Sequence, residues 1–425
     1  MKYIGVLLAA VSALVAASTV GALETTTAVV AAASTEKRCF PKDFLFGSAT
    51  ASYQVEGAWN EGGRTRSIWD DFCRERQGVD CSNVADDFYH RYRDDIKLMA
   101  ASGLDSFRFS ISWSRVMNWD PATKKMKPNA PGIAFYHDVL DELARSGITP
   151  ILTLYHWDLP HELHTQLKPQ GWLNREIIDH YMEYAELVFA EFGSKVDILS
   201  LGWGRDHGVD EVRAPEGARL SSTDDLGQLI CTWFTGYAPG YLEFIKWAHK
   251  HDPKADILLT ENGWCGNDSI DNPDQLWYFQ AYLEQRDHGV DEVRAPEGAR
   301  LSSTNDLGQH NCAWFTGYAP GYLAYIQWAH KHDPKADILL TENGWCGNDS
   351  IDNPDQLWYF QAYLEQFKIP VIGYTAWSFY DNYEWGSFKP RFGLYYVNFT
   401  AATGAQDERR QTGTAAESTP LVQRA

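Results

Sequence analysis

Positive charge is scarce in this sequence. Only 37 Lys and Arg stand against 57 Asp and Glu, for a net charge of −20. That sign excludes nucleic acid as a partner, because phosphate binding needs a basic face. It suits a soluble protein that handles a neutral ligand. Long apolar runs are missing beyond the first residues, so no later segment spans a bilayer. The seven cysteines, at 39, 73, 81, 231, 265, 312 and 346, never fall with histidines at zinc-ligand spacing, and neither metal nor cofactor is expected. No strand-like run leads into a Gly-rich phosphate loop, which counts against a doubly wound nucleotide-binding sheet.

What is present points elsewhere. The 425 residues bury a large core, and 17 of them are Trp. Flat aromatic rings suit the C–H faces of sugars, although most rings in any chain simply fill the core. The start, MKYIGVLLAAVSALVAASTVGA, has one Lys, an apolar run and then small residues. It reads as a signal peptide over 1–22, cleaved near Ala22, which leaves a secreted, extracellular protein without a membrane anchor. Residues 23–38, rich in Thr and Ala, read as a flexible lead-in, and the polar residues 400–425 as a disordered tail. Secretion permits disulfides, and Cys73 and Cys81 flank a short polar loop that allows pairing. The odd cysteine count leaves at least one thiol free or intermolecular. Asn267, Asn348 and Asn398 open sequons for glycosylation.

From Phe44 onward, strand-like runs alternate with amphipathic helices. FLFGSAT, SFRFSIS, ITPILTLYHW, VDILSL, two copies of ADILLT, and PVIGYTAW are the strands. IAFYHDVLDELARSG reads as a helix closed by Gly147. REIIDHYMEYAELVFAEFG places Ile177, Ile178, Tyr181, Ala185, Val188 and Phe192 on one face. In NPDQLWYFQAYLEQ the Asn is the expected N-cap, with Pro as the first helical residue. Continuous apolar strands between helices predict a parallel sheet. Gln54, His156, Trp157, Glu261, Glu342 and Trp377 lie just after strands, where a (β/α)₈ barrel builds its active-site mouth. The expected architecture is α/β, a TIM-type barrel over 39–399.

One segment occurs twice. Residues 205–285 and 286–366 align without a gap and differ only at Asp224/Asn305, Leu229/His310, Ile230/Asn311, Thr232/Ala313, Glu243/Ala324, Phe244/Tyr325 and Lys246/Gln327. Solenoid repeats diverge and need about three or more copies to stack. Two near-identical copies indicate a recent tandem duplication or a rearranged gene.

The motifs together carry a resemblance. FLFGSATASYQVEGAWNEGGRTRSIWDDF, FRFSISWSR, LTLYHWDLP, LLTENG and GYTAWSFYDNYEWGSFKPRFGLYYVNF stand in the order found in family 1 of the glycoside hydrolases. That family, the β-glucosidase family, is one of retaining (β/α)₈ barrels. The resemblance covers about Cys39–Phe192 and Tyr241–Phe399. It implies hydrolysis of β-glucosides or short β-linked oligosaccharides. It implies that Gln54, His156, Trp157, Glu384 and Trp385 grip the glycone hydroxyls and that Trp377 floors the pocket. Retaining hydrolysis needs two carboxyl groups about 5–5.5 Å apart, a nucleophile and a proton donor. Chain order nominates Glu342 as nucleophile, since one helix and then the eighth-strand motif follow it. Glu261 has the same local sequence but precedes another repeat, so it reads as the surplus copy.

The family's donor belongs to an Asn-Glu-Pro motif on the fourth strand, and no Asn-Glu-Pro occurs in this chain. The fifth strand and most of the sixth have no match either. Seven strands are counted where eight are needed, so an incomplete or rearranged barrel is expected, with activity impaired by the missing acid. The alternative is a non-catalytic sugar-binding relative or a rearranged gene product.

Overall fold

The structure, a computed structural model, describes residues 3–8, 39–196, 198–200, 259–262, 323, 326, 327, 330, 337–347, 354–364, 371–399, 409–411 and 423–424. Eight strands form one parallel sheet: β1 (Tyr3–Leu8), β2 (Leu45–Ala49), β3 (Ser106–Ser110), β4 (Thr149–Thr153), β5 (Ile198–Ser200), β6 (Leu259–Asn262), β7 (Asp337–Gly344) and β8 (Val371–Trp377). Their order is β5-β4-β3-β2-β8-β7-β1-β6. All seven strands expected from the sequence are present. The eighth, β1, comes from within the segment read as a leader, and it sits between the two strands built from the repeat. An apolar run such as YIGVLL satisfies the requirements of a leader and of a doubly covered strand equally well.

The sheet curls. Ile151 on β4, Ile198 on β5 and Leu339 on β7 pack together, with Leu45 and Ile372 against them, across strands that are not neighbours in the order. This cluster is the apolar interior layer at the lower end of the strands. Alternate residues point outward: Phe107, Phe109 and Leu152 pack under the helices. Among the described residues no ladder joins β5 to β6, so the curled sheet is an incomplete barrel.

The helices that cover it are α1 (Ile68–Glu75), α2 (Phe88–Ala101), α3 (Ala130–Arg145), α4 (His161–Gln166), α5 (Ile177–Phe192) and α6 (Pro354–Leu364). α3 ends as its sequence predicts, with Gly147 at φ 69° taking the left-handed position that glycine tolerates. The expected face of α5 packs on the core, with Ile177, Ala185, Val188 and Phe192 buried and Ile178 and Tyr181 partly buried against it; His180 and Tyr184, which the apolar pattern leaves out, are buried too. Tyr184 goes inside because its hydroxyl donates to the carbonyl oxygen of Ile111, which lets a polar ring be buried at no cost in unpaired groups.

The Cys73–Cys81 disulfide is formed, and Cys346 is disulfide-bonded as well. Two short pieces of the segment expected to lack structure are paired: Arg409–Gln411 lies antiparallel to Tyr395–Val397, and Gln423–Arg424 pairs with Cys39–Phe40. Among the described residues no helix is long and apolar enough to cross a membrane. Sequon Asn398 is described, whereas Asn267 and Asn348 lie outside the described residues, as does the helix expected after Asn272.

Candidate active site

The site forms at the C-terminal ends of β2, β3, β4, β7 and β8. Glu342 sits near the end of β7 inside a bulge. Leu340 pairs with Tyr374 and Asn343 with Ala376, so β7 has one more residue than β8 over that stretch. A bulge redirects a side chain, and here it turns Glu342 inward toward β3. The Glu342 carboxylate accepts a hydrogen bond from the guanidinium of Arg108, which is fully buried. Arg108 also donates to Thr153 Oγ1 at 3.0 Å and to the carbonyl oxygen of Thr341 at 3.4 Å. Three strands therefore fix one carboxylate.

The sequence had marked FRFSIS as a strand without giving Arg108 a role. The signal was available: a cation in the middle of an apolar buried strand requires a buried partner. Which partner it would take was not legible, because Glu342 lies far away in the chain.

The residues expected to bind the glycone come together opposite. Gln54 is fully buried and donates through Nε2 to Asn382 Oδ1 and to the Tyr383 carbonyl oxygen, each at 2.8 Å, and to Glu384 Oε2 at 3.4 Å. Its Oε1 is buried and unpartnered. The indole N–H of Trp377 donates to Glu384 Oε1 at 3.1 Å. Burial, with the charge of Glu342 adding to it, pushes the Glu384 carboxyl up to about 8. At neutral pH this group is a protonated acid that can donate a hydrogen bond.

The imidazole of His156 lies parallel to the ring of Trp377 at 5.9 Å and to that of Trp385 at 5.8 Å. Burial, and then the charge of Arg108, hold this histidine well below its usual range, so it is neutral. Trp157 and Trp385 approach to 4.9 Å, and both have left-handed backbone, at φ 71° and 47°. The indole nitrogen of Trp157 is buried without a partner. Unpartnered buried polar atoms, Gln54 Oε1 and Trp157 Nε1 among them, are costly unless a ligand or water completes them.

A deeper layer ties these loops to the strands. The Ser52 N–H donates to Ser110 Oγ at 2.8 Å, and Ser52 Oγ donates to Asp158 Oδ2 at 3.1 Å. The turn carrying Gln54 is thereby joined to β3 and to the loop carrying His156 and Trp157. Asp158 is fully buried, and burial pushes its carboxyl up to about 7.

Glu261 is placed by its backbone on β6, at the edge of the sheet, with β1 between it and β7. The segments where a fifth strand or a donor motif was sought, 201–258 and 263–322, lie outside the described residues.

Residues 36–201 and 291–416 match glycosyl hydrolase family 1. This chain belongs to that family. The family match spans β7 and passes over the first repeat copy, and so includes Glu342 and leaves out Glu261. Among curated relatives, the chain is 31% identical to beta-glucosidase 1B of Phanerodontia chrysosporium, covering 84% of this chain and 82% of the relative. It is 30% identical to the peroxisomal beta-glucosidase 26 of Arabidopsis thaliana, over 85% and 81%. Among solved structures it is similar to the rice Os3BGlu6 beta-glucosidase, with a TM-score of 0.64 and 26% identity over 90% of this chain and 98% of that one. Membership in family 1 makes the protein a glycosidase, and its strand-end cluster is where that family's chemistry would sit.

Proposed function

We propose that this glycosidase is a retaining β-glucosidase-type hydrolase that acts on terminal β-D-glucosyl residues of β-glucosides or short β-linked oligosaccharides. The observation that carries the reading is Glu342, turned inward by a bulge and bonded to Arg108, facing Gln54, His156, Trp377 and Glu384. In this reading Glu342 attacks the anomeric carbon. Gln54, the neutral imidazole of His156 and the neutral acid Glu384 bond the glycone hydroxyls, while Trp157, Trp377 and Trp385 meet its apolar face. The names of the two curated relatives above, both beta-glucosidases, support the substrate class. Glu261 is the surplus copy.

The chain lacks an Asn-Glu-Pro sequence, so its acid/base function is impaired. Losing a general acid costs about 10²–10⁴ in rate, and least for leaving groups that depart without a proton. Dinitrophenyl β-glucoside should therefore be turned over while cellobiose is not. Equal relative rates on the two would sink the impairment, and failure on both with intact folding would sink the enzyme reading.

The intact glycone cluster beside a missing donor favours a second reading, a sugar-binding relative without turnover. It predicts calorimetric binding of a β-glucoside with no product. The N-terminal run supports secretion through the leader, and the net charge and apolar pattern support a soluble protein that binds neither nucleic acid nor membrane.

A further inference from the structure

Trp69 lies on α1, away from the strand ends that carry the glycone residues, yet it touches two of them. Its indole N–H donates to the carbonyl oxygen of Trp157 at 3.1 Å, and its ring lies 4.6 Å from that of Trp385. Those two residues hold left-handed backbone, at φ 71° and 47°. Bulky side chains leave that region unless their surroundings fix it, and such strain concentrates at ligand-binding sites.

We propose that Trp69 is a positioning residue: carried on α1, it braces Trp157 and Trp385 in the conformations that present their rings to a glycoside. The proposal rests on the glycoside-binding reading above.

The helix that carries the brace is itself fixed on both sides. A capping box joins Ser67 and Asp70 at its start, and buried Asp70 also holds Arg64 at 3.0 Å. The Ile68 N–H donates to the Leu159 carbonyl oxygen, and the His161 N–H to that of Arg66, each at 2.9 Å. These bonds lash the start of α1 to the loop of Trp157. Near the other end of α1, the Cys73–Cys81 disulfide closes a short loop that returns to Trp385. There the Asp80 N–H donates to the Gly386 carbonyl oxygen at 3.1 Å, and the Phe388 N–H donates to Asp80 Oδ2 at 3.4 Å. The segment 67–81, with its last part closed by the disulfide, thus contacts both tryptophan loops, and Trp69 reaches the backbone of Trp157 and the ring of Trp385.

The test uses the full chain as wild type, W69F, W69A and D80A. Each is titrated calorimetrically with a non-hydrolysable phenyl β-thioglucoside, and its near-UV circular dichroism and melting temperature are recorded. W69F keeps a ring but loses the N–H donor, and should bind about 2–10-fold more weakly, the worth of one hydrogen bond. W69A loses bond and ring contact, and should bind about 10–100-fold more weakly. Both should show a diminished tryptophan band at temperatures where they remain folded. Turnover of an activated aryl glucoside should show KM raised with kcat within a factor of about 2, as for uniform binding.

D80A removes only an exposed contact to the Trp385 loop and should weaken binding about 2–3-fold, at the low end for a hydrogen bond. It decides the matter if W69A does not fold. Wild-type affinity in W69F and D80A overturns the brace. If wild type binds no thioglucoside, the glycoside reading falls, and an unchanged tryptophan band in W69F then overturns the brace independently.

Discussion

The four residues of β6, LTEN, recur within the eight of β7, and each strand has one extra residue at the same place. Val6 and Leu8 of β1 face Leu259 and Asn262, just as Tyr374 and Ala376 of β8 face Leu340 and Asn343. Local sequence therefore writes the bulge wherever the strand is placed. What differs is the company. β7 has a strand on each side and Arg108 across the interior, whereas β6 pairs with β1 alone among the described residues. A carboxylate becomes a reaction centre through groups supplied by other strands, and the two copies separate those contributions within one molecule.

The widest separation comes from the glutamates themselves. E342Q should abolish turnover of an activated aryl glucoside, a loss on the order of 10⁴–10⁶ as for other covalent-catalysis groups. E261Q should leave it unchanged, and a comparable loss in both would erase the distinction. Next is the partner that only β7 meets. R108Q should lower kcat for that aryl glucoside by about 10²-fold by misplacing Glu342, with KM little altered. An unchanged kcat would mean that the bulge alone aims the carboxylate.

The interior layer gives a third contrast. L339A opens a cavity among Ile151, Ile198 and Ile372 and should destabilise the chain by about 2–5 kcal/mol in a denaturant melt. A cost below about 1 kcal/mol would mean that the curled sheet lacks a packed interior.

The smallest effect is electrostatic. The folded Glu384 carboxyl is raised above its unfolded value of 4.5, so its contribution to stability is complete below that pH and is lost as pH rises through about 8. Glucoside binding should weaken a few-fold over the upper part of that window as the donor ionises, about the worth of a hydrogen bond. E384Q, which stays neutral, should flatten the profile.

The strands, most helices and the glycone residues were legible because each lies inside a contiguous motif with a definite period. Arg108 was half legible: its burial could be inferred, but its partner depends on sheet order. Trp69 was hidden inside a motif whose every residue looked equally characteristic. The face of α5 was legible except for His180 and Tyr184, which are polar by type; Tyr184 is buried with its hydroxyl bonded to the carbonyl oxygens of Ile111 and Leu154. The pairing of β1 was not legible, because an apolar run that reads as a leader carries no information about its neighbours. The tie from Ser52 to Asp158 could not be read at all, since serine and aspartate after strands are ordinary solvent residues until three strand ends meet.

The sheet order has a consequence for how the chain is made. β2 through β5 join neighbours in sequence, and most of the core they share with their helices precedes residue 200, although Phe379, Tyr380, Tyr395 and Val397 are added to it later. β8 must pair back to β2, where Ser48 meets Ala376 across 328 residues, and β1 must wait for β7. Relative to a crossover of about 40 residues, closing so long a loop costs roughly 2 kcal/mol more in chain entropy. Synthesis from the N-terminus would therefore leave a part-built half with an open edge until β8 is made, and the carboxylate site would be assembled last.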